Sequence, residues 1–176
     1  PGEPLRITEK IHGANGRYVY TNGRMYCGSR NHWMKQVDDN LWWRALAQTP
    51  GLEPLCRENP TICFYGEVLG CQSLRYGMAP GCYRVLLFDA FGTYKPGQWC
   101  DIDDLAPREL QVPVIESEFP YSPESLPSFA DGVSLILGAN HIREGIVVRP
   151  VGGPRFHPEV GRVQLKLVSN QYLEKS

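Results

Sequence analysis

The run Thr8-Glu9-Lys10-Ile11-His12-Gly13-Ala14-Asn15 sets a lysine at the end of an apolar strand and follows it with a glycine turn. A lysine attacks an electrophile only as the neutral amine, and a solvated ammonium with a pKa of about 10.4 is almost wholly protonated at neutral pH. Burial or neighbouring positive charge shifts the balance toward the amine, and that is how a lysine becomes a nucleophile. By itself Lys-x-His-Gly is short, and it also describes a surface lysine beside a turn.

Four later segments stand in a series with Lys10: Phe64-Tyr65-Gly66-Glu67-Val68-Leu69-Gly70, Tyr83-Arg84-Val85-Leu86-Leu87-Phe88-Asp89, Glu144-Gly145-Ile146-Val147-Val148-Arg149, and Lys166 near the C-terminus. Together they resemble, in order, the motif set of ATP-dependent RNA ligases. Lys-x-His-Gly-x-Asn is similar to the phage and kinetoplastid-editing type, whereas DNA ligases and capping enzymes write Lys-x-Asp-Gly. The resemblance runs from Lys10 to Lys166, nearly the whole chain.

The resemblance implies an α+β covalent nucleotidyltransferase domain, the adenylation domain of a ligase, with antiparallel sheets around a central nucleotide cleft. It implies ATP as cofactor, with AMP carried covalently on Lys10, and Mg²⁺ or Mn²⁺ as the metal. Lys10, Glu144 and Lys166 are the expected catalytic residues. Glu144 would hold the metal through water, as small hard cations keep much of their hydration. Lys166 would offset charge on the α-phosphate. Glu67 would accept from the ribose 2′-hydroxyl, Phe88 would stack on adenine, and Glu9, Ile11, Asn15 and Arg30 complete the expected nucleotide contacts. Glu9 reads equally as a strand-end carboxylate in an ion pair. Arg30, in Cys27-Gly28-Ser29-Arg30, with His12 and Arg149, would face the 5′-phosphate of the strand to be joined. His12 also reads as a polar core histidine. The implied partner is a nicked duplex with an RNA 3′-hydroxyl strand, and the implied protein is a cytosolic monomer.

Two departures stand out. Members of the family often end on Lys-x-Lys, but Gln164 stands two residues before Lys166 and Val168 two after. Glu144 and Arg149 have opposite parity on a regular strand, so a bend near Gly145 is needed for both to face a nucleotide. A DNA ligase or capping guanylyltransferase is the alternative within the superfamily, and His12 counts against it. A non-catalytic nucleotide- or RNA-binding module is the alternative outside it; intact Lys10, Glu67, Glu144 and Lys166 count against that.

These residues need elements to hold them. Strands are expected over 5–9, 16–20 and 25–27 (a hairpin around Thr21-Asn22-Gly23), 61–68, 83–88, 111–117, 145–149 and 163–168. Asp38 or Asp39 can cap a helix through Leu41, Trp42, Ala45 and Leu46 that Pro50-Gly51 ends. Adjacent Trp42 and Trp43 cannot share a helix face, which predicts one in the core and one near the surface. Ser122-Pro123-Glu124 is expected to open a short helix with Pro at its first position. Strands without a regular βαβ rhythm argue for α+β with largely antiparallel sheets.

With 176 residues, one compact domain is the expectation. No apolar run reaches the length of a bilayer span. The formal net charge is only −1, yet 13 of the 18 basic residues are arginine, so a bound nucleic acid requires them gathered on one face. Six cysteines include no Cys-x-x-Cys pair and read as reduced thiols, several in strand-like runs; no zinc-ligand spacing occurs. The ends predict a catalytic-domain fragment whose further module, an OB fold, lies upstream, as in the RNA ligases of Deinococcus and amoebae.

Overall fold

The computed structural model describes residues 2–93 and 97–174. Along the chain run β1 (Pro4–Lys10), β2 (Ala14–Thr21), β3 (Arg24–Gly28), α1 (Leu41–Gln48), α2 (Leu52–Glu58), β4 (Ile62–Leu69), β5 (Arg84–Gly92) and β6 (Gln98–Cys100). Then follow β7 (Val114–Pro120), α3 (Leu126–Ala130), β8 (Gly145–Pro150), β9 (Phe156–His157), β10 (Gly161–Arg162), β11 (Leu165–Val168) and α4 (Asn170–Leu173). The fold class is α+β, and the strands of both main sheets pair antiparallel. The chain forms two compact units, Pro1–Ile11 with Val112–Ser176, and His12–Gln111.

The first unit is built on a four-stranded sheet in the order β11-β8-β1-β7. Its core gathers Leu5 and Ile7 of β1, Ile146 and Val148 of β8, and Leu126 and Ala130 of α3, with Leu167 of β11 packed against them. The period of two along each strand turns these residues to one face and leaves Thr8, Lys10, Val147, Arg149 and Lys166 to the other. The helix expected to open at Pro123 begins later. Ser122–Ser125 forms a turn closed by Ser125 N donating to Ser122 O, and Pro127, not Pro123, stands in the first turn of α3.

The second unit carries a five-stranded sheet in the order β3-β2-β4-β5-β6. Asn22 and Gly23 both have positive φ, 49° and 75°, as the two-residue turn favoured by Asn-Gly requires. One face of this sheet packs Tyr18, Cys27, Phe64, Val68, Val85 and Leu87 against Ala45, Leu46, Leu52 and Leu55 of the two helices. Burial pushes the thiol pKa of Cys56 up to about 12 and that of Cys63 to about 11, and raises that of Cys27 further. All six cysteines are free thiols, and these three act as small core hydrophobes.

The helices correct the expectation in three places. Asn40, not Asp38 or Asp39, caps α1: its Oδ1 accepts from Trp42 N at 3.1 Å and Trp43 N at 3.4 Å. Trp42 and Trp43 both pack against the core, and each indole N–H reaches a backbone carbonyl, Asn15 O at 2.9 Å and Met34 O at 3.2 Å. α2 has no counterpart among the expected elements; Pro54 lies in its first turn, where its missing N–H costs no helical bond.

Candidate active site

Lys10 is the last residue of β1 and lies directly opposite Gly145, the first residue of β8. A Cβ at Gly145 would stand 2.0 Å from Leu167 O, so only glycine lets β11 close against this strand. Glu144 precedes the strand and is not bound by its alternation. Its carboxylate pairs with Lys10 Nζ, and the two side chains are 15% and 24% exposed. The parity conflict with Arg149 is thereby removed, since Arg149 lies within β8 opposite Arg6. On the same face, Val147 separates Thr8 of β1 from Lys166 of β11, and Lys166 is exposed.

Glu9 faces the other way. It is 1% exposed, with Oε1 accepting from Ser134 Oγ at 2.6 Å and Oε2 from Leu135 N at 2.7 Å. Both oxygens are therefore engaged by the loop between α3 and β8. Ile11 is buried at the end of this unit's first segment.

Ser169 and Tyr172 did not stand out in the sequence. Ser169, wholly buried, donates its N–H to Glu144 O at 2.9 Å and its hydroxyl to Asp131 Oδ1 at 2.7 Å, and accepts from Tyr172 N at 3.1 Å as the N-cap of α4. The phenol pKa of Tyr172 is raised by burial and then by the negative charge of Glu144. The available signal was the serine itself, directly after a strand, since serine is a favoured helix N-cap.

In the second unit Asn15 of β2 lies directly opposite Glu67 of β4, so the two side chains share one face of the sheet. The Oδ1 of Asn15 is buried without a hydrogen-bond partner, an acceptor awaiting a donor. A Cβ at Gly13 would stand 2.3 Å from Val68 O, which explains the glycine of the turn. The register of β4 against β5 steps from Tyr65–Asp89 to Gly66–Leu87, leaving Phe88 as the extra residue of a bulge, a feature that re-aims a side chain. His12 donates its backbone N–H to Tyr76 Oη at 2.6 Å, and its Nε2 lies 3.1 Å from Ser73 Oγ. Arg30 is exposed in the loop after β3.

Among the described residues no group of three or more His, Cys, Asp or Glu side chains could enclose a metal ion, and no helix is long and apolar enough to cross a membrane. Glu144 is a single hard oxygen donor. It fits an ion that keeps water and shares its remaining positions with phosphate, as Mg²⁺ and Mn²⁺ do.

A model of the RNA ligase family matches residues 3–168. Comparison with curated protein sequences gives no match. Among solved structures, a mutant of Naegleria gruberi RNA ligase with AMP and Mn superposes with a TM-score of 0.79 at 23% identity, over 99% of this chain and 52% of that one. Another mutant with ATP and Mn gives 0.78, and the ligase with PPi gives 0.77, at the same identity and coverage. The likeness at this identity is one of fold, and the chain spans about half the length of the solved structures it matches.

Proposed function

We propose that this chain, which belongs to the RNA ligase family, is an ATP-dependent RNA ligase domain that charges Lys10 with AMP, passes the AMP to a 5′-phosphate, and joins that end to an RNA 3′-hydroxyl in a nicked duplex. The observation that carries this reading is the Lys10–Glu144 pair at the β1–β8 edge, on a sheet face that also bears Lys166.

In the first step the Nζ lone pair of Lys10 attacks the α-phosphorus of ATP. A P–N bond forms, the bond to the β-phosphate oxygen breaks, pyrophosphate leaves and Nζ loses its proton. Nζ has to leave Glu144 to attack, because an amine donating to a carboxylate points its hydrogens, not its lone pair, at the neighbour. Lys166 supports the phosphate as a point charge. Glu144 would hold the divalent cation, which when bound supplies positive charge against the charge gathering on the α-phosphate. Asn15 and Glu67 offer adjacent acceptors suited to ribose hydroxyls, and the Phe88 ring stacks on adenine. Glu9 acts on this site by fixing the end of β1 through Ser134 and Leu135. In the second and third steps Arg30 and Arg149 take the 5′-phosphate, AMP moves onto it from Lys10, and the 3′-hydroxyl displaces AMP.

The test is covalent labelling with α-labelled ATP and Mg²⁺ or Mn²⁺, read under denaturing conditions, with labelled GTP in parallel. Label from ATP that disappears in Lys10→Ala supports the reading. No label from ATP at any metal concentration, or label from GTP alone, would overturn it.

A further inference from the structure

The five-stranded sheet of the second unit has a second face, turned away from α1 and α2, and a continuous strip of cations and aromatic rings crosses it. On β3, the guanidinium of Arg24 lies 4.8 Å from the Tyr26 ring centroid. Tyr26 meets Trp33 edge-on, with centroids 6.2 Å apart, and Arg17 of β2 lies 4.3 Å over the Trp33 ring. Arg17 is directly opposite Tyr65 of β4. Tyr65 meets Trp99 of β6 at 5.4 Å, and Trp99 meets Phe91 of β5 at 5.1 Å. Every strand of the sheet contributes, and none of these rings belongs to the hydrophobic core.

Trp33 is 48% exposed, yet it is held in place. Gly28 bridges to it, Ser29 N donates to His32 O, Met34 N donates to Cys27 O, and Trp43 fixes Met34 from α1. Arg17 Nε donates to Ser29 O at 2.7 Å, tying the stacked cation to the same loop. A large ring kept rigid at the surface offers stacking area without an ordering cost.

The charge along this part of the chain is one-sided. Between Ile11 and Val37 there is no Asp or Glu, while Arg17, Arg24, Arg30 and Lys35 all fall there, in a chain whose net charge is −1. A polyanion is the complementary partner. The rings narrow it further: a duplex hides the faces of its bases, whereas an unpaired strand presents them for stacking on aromatic side chains.

We propose that this second face, which also carries Asn15 and Glu67, is a platform for an unpaired RNA strand, whose bases stack on Trp33 and on the Tyr65–Trp99 pair and whose phosphates meet Arg17 and Arg24. RNA as the nucleic acid rests on the ligase reading above; the strip itself does not. In ligation the platform would hold an unpaired RNA segment that flanks the nicked duplex, since the ends being joined are themselves paired.

The experiment measures fluorescence anisotropy of a short fluorescein-labelled oligouridylate, without ATP or metal, with the same strand annealed to oligoadenylate as competitor. The unpaired strand should bind at least tenfold tighter than the duplex. Trp33→Ala and Tyr65→Leu should each weaken it on the order of tenfold, while Trp33→Phe, which keeps a ring, should lose much less. Thermal unfolding of each variant confirms that it is folded, and the two sites lie on different elements, so one misfolded variant leaves the other decisive. Equal binding of duplex and single strand, or unchanged affinity in a folded Trp33→Ala or Tyr65→Leu, overturns the platform. AMP labelling of the unaltered protein is measured alongside. A protein that binds the strand but takes no label keeps the platform and loses the ligase reading, and one that labels but shows no preference does the reverse.

Discussion

Glu9 and Lys10 are neighbours in the chain and lie on opposite faces of β1. Lys10 pairs with Glu144 at the strand edge, and Glu9 is buried behind it with Ser134 and Leu135. One peptide bond thus separates the candidate nucleophile from the group that anchors the loop beneath it.

Substitution at Glu9 should therefore act through stability and strand placement. Glu9→Gln keeps one acceptor but sets an amide N–H₂ against one of two donors, Ser134 Oγ or Leu135 N. A loss of about 1–3 kcal/mol is expected for a buried donor left unsatisfied. Urea unfolding checks this, and Ser134→Ala should lose part of the same stabilisation, non-additively with Glu9→Gln. Additive losses in the double variant would show that the two side chains do not act together.

Lys10→Ala should abolish covalent AMP labelling and leave the fold intact. Lys10 ends its strand and belongs to no core cluster, so its loss takes away an ion pair and no core packing. Lys10→Arg should be equally unlabelled, because a guanidinium does not deprotonate in proteins. Label recovered from either variant would place the nucleophile elsewhere.

At Glu144 the expected effect is on the chemical step. Glu144→Ala should cut AMP labelling at least a hundredfold at every Mg²⁺ or Mn²⁺ concentration, while ATP affinity measured in EDTA changes little. Restoration of labelling by saturating ATP alone would contradict a metal role.

Alkaline pH should weaken the fold through the buried thiols. The pKa of Cys56 is raised by burial from 9.0 to about 12 and that of Cys63 to about 11. Between about pH 9 and those values the unfolded chain releases protons that the folded chain keeps, so stability is fully present below pH 9 and falls as pH rises through that window. Thermal midpoints measured from pH 8 upward should fall steeply above pH 9, and the slope should be shallower in Cys56→Ala. A slope unchanged by that substitution would assign the loss to other groups.

Much of this molecule follows from local pattern. The period of two placed the strands bearing Lys10, Glu67 and Lys166 and the face on which Lys166 lies, because alternation is a property of the extended backbone itself. Asn22-Gly23 marked its turn because these residues tolerate positive φ. Cap choice was less legible: Asp38, Asp39 and Asn40 are all competent caps, and the chain entry from Val37 selected Asn40. The start of α2 was not legible, because no Ser, Thr, Asp or Asn side chain caps it; Gly51 enters it in the left-handed region. The partners of Glu9, Glu144 and Trp33 are matters of tertiary structure. Ser134 is 125 residues from Glu9, and the Trp33 stack joins β2 to the loop after β3. Residue types and spacing determine which side chains can do chemistry and which way a strand turns them, since these depend on covalent geometry and near neighbours. Which distant side chain meets them is decided only when sheets pair and cores close, because that choice minimises buried unpaired polar groups over the whole unit at once.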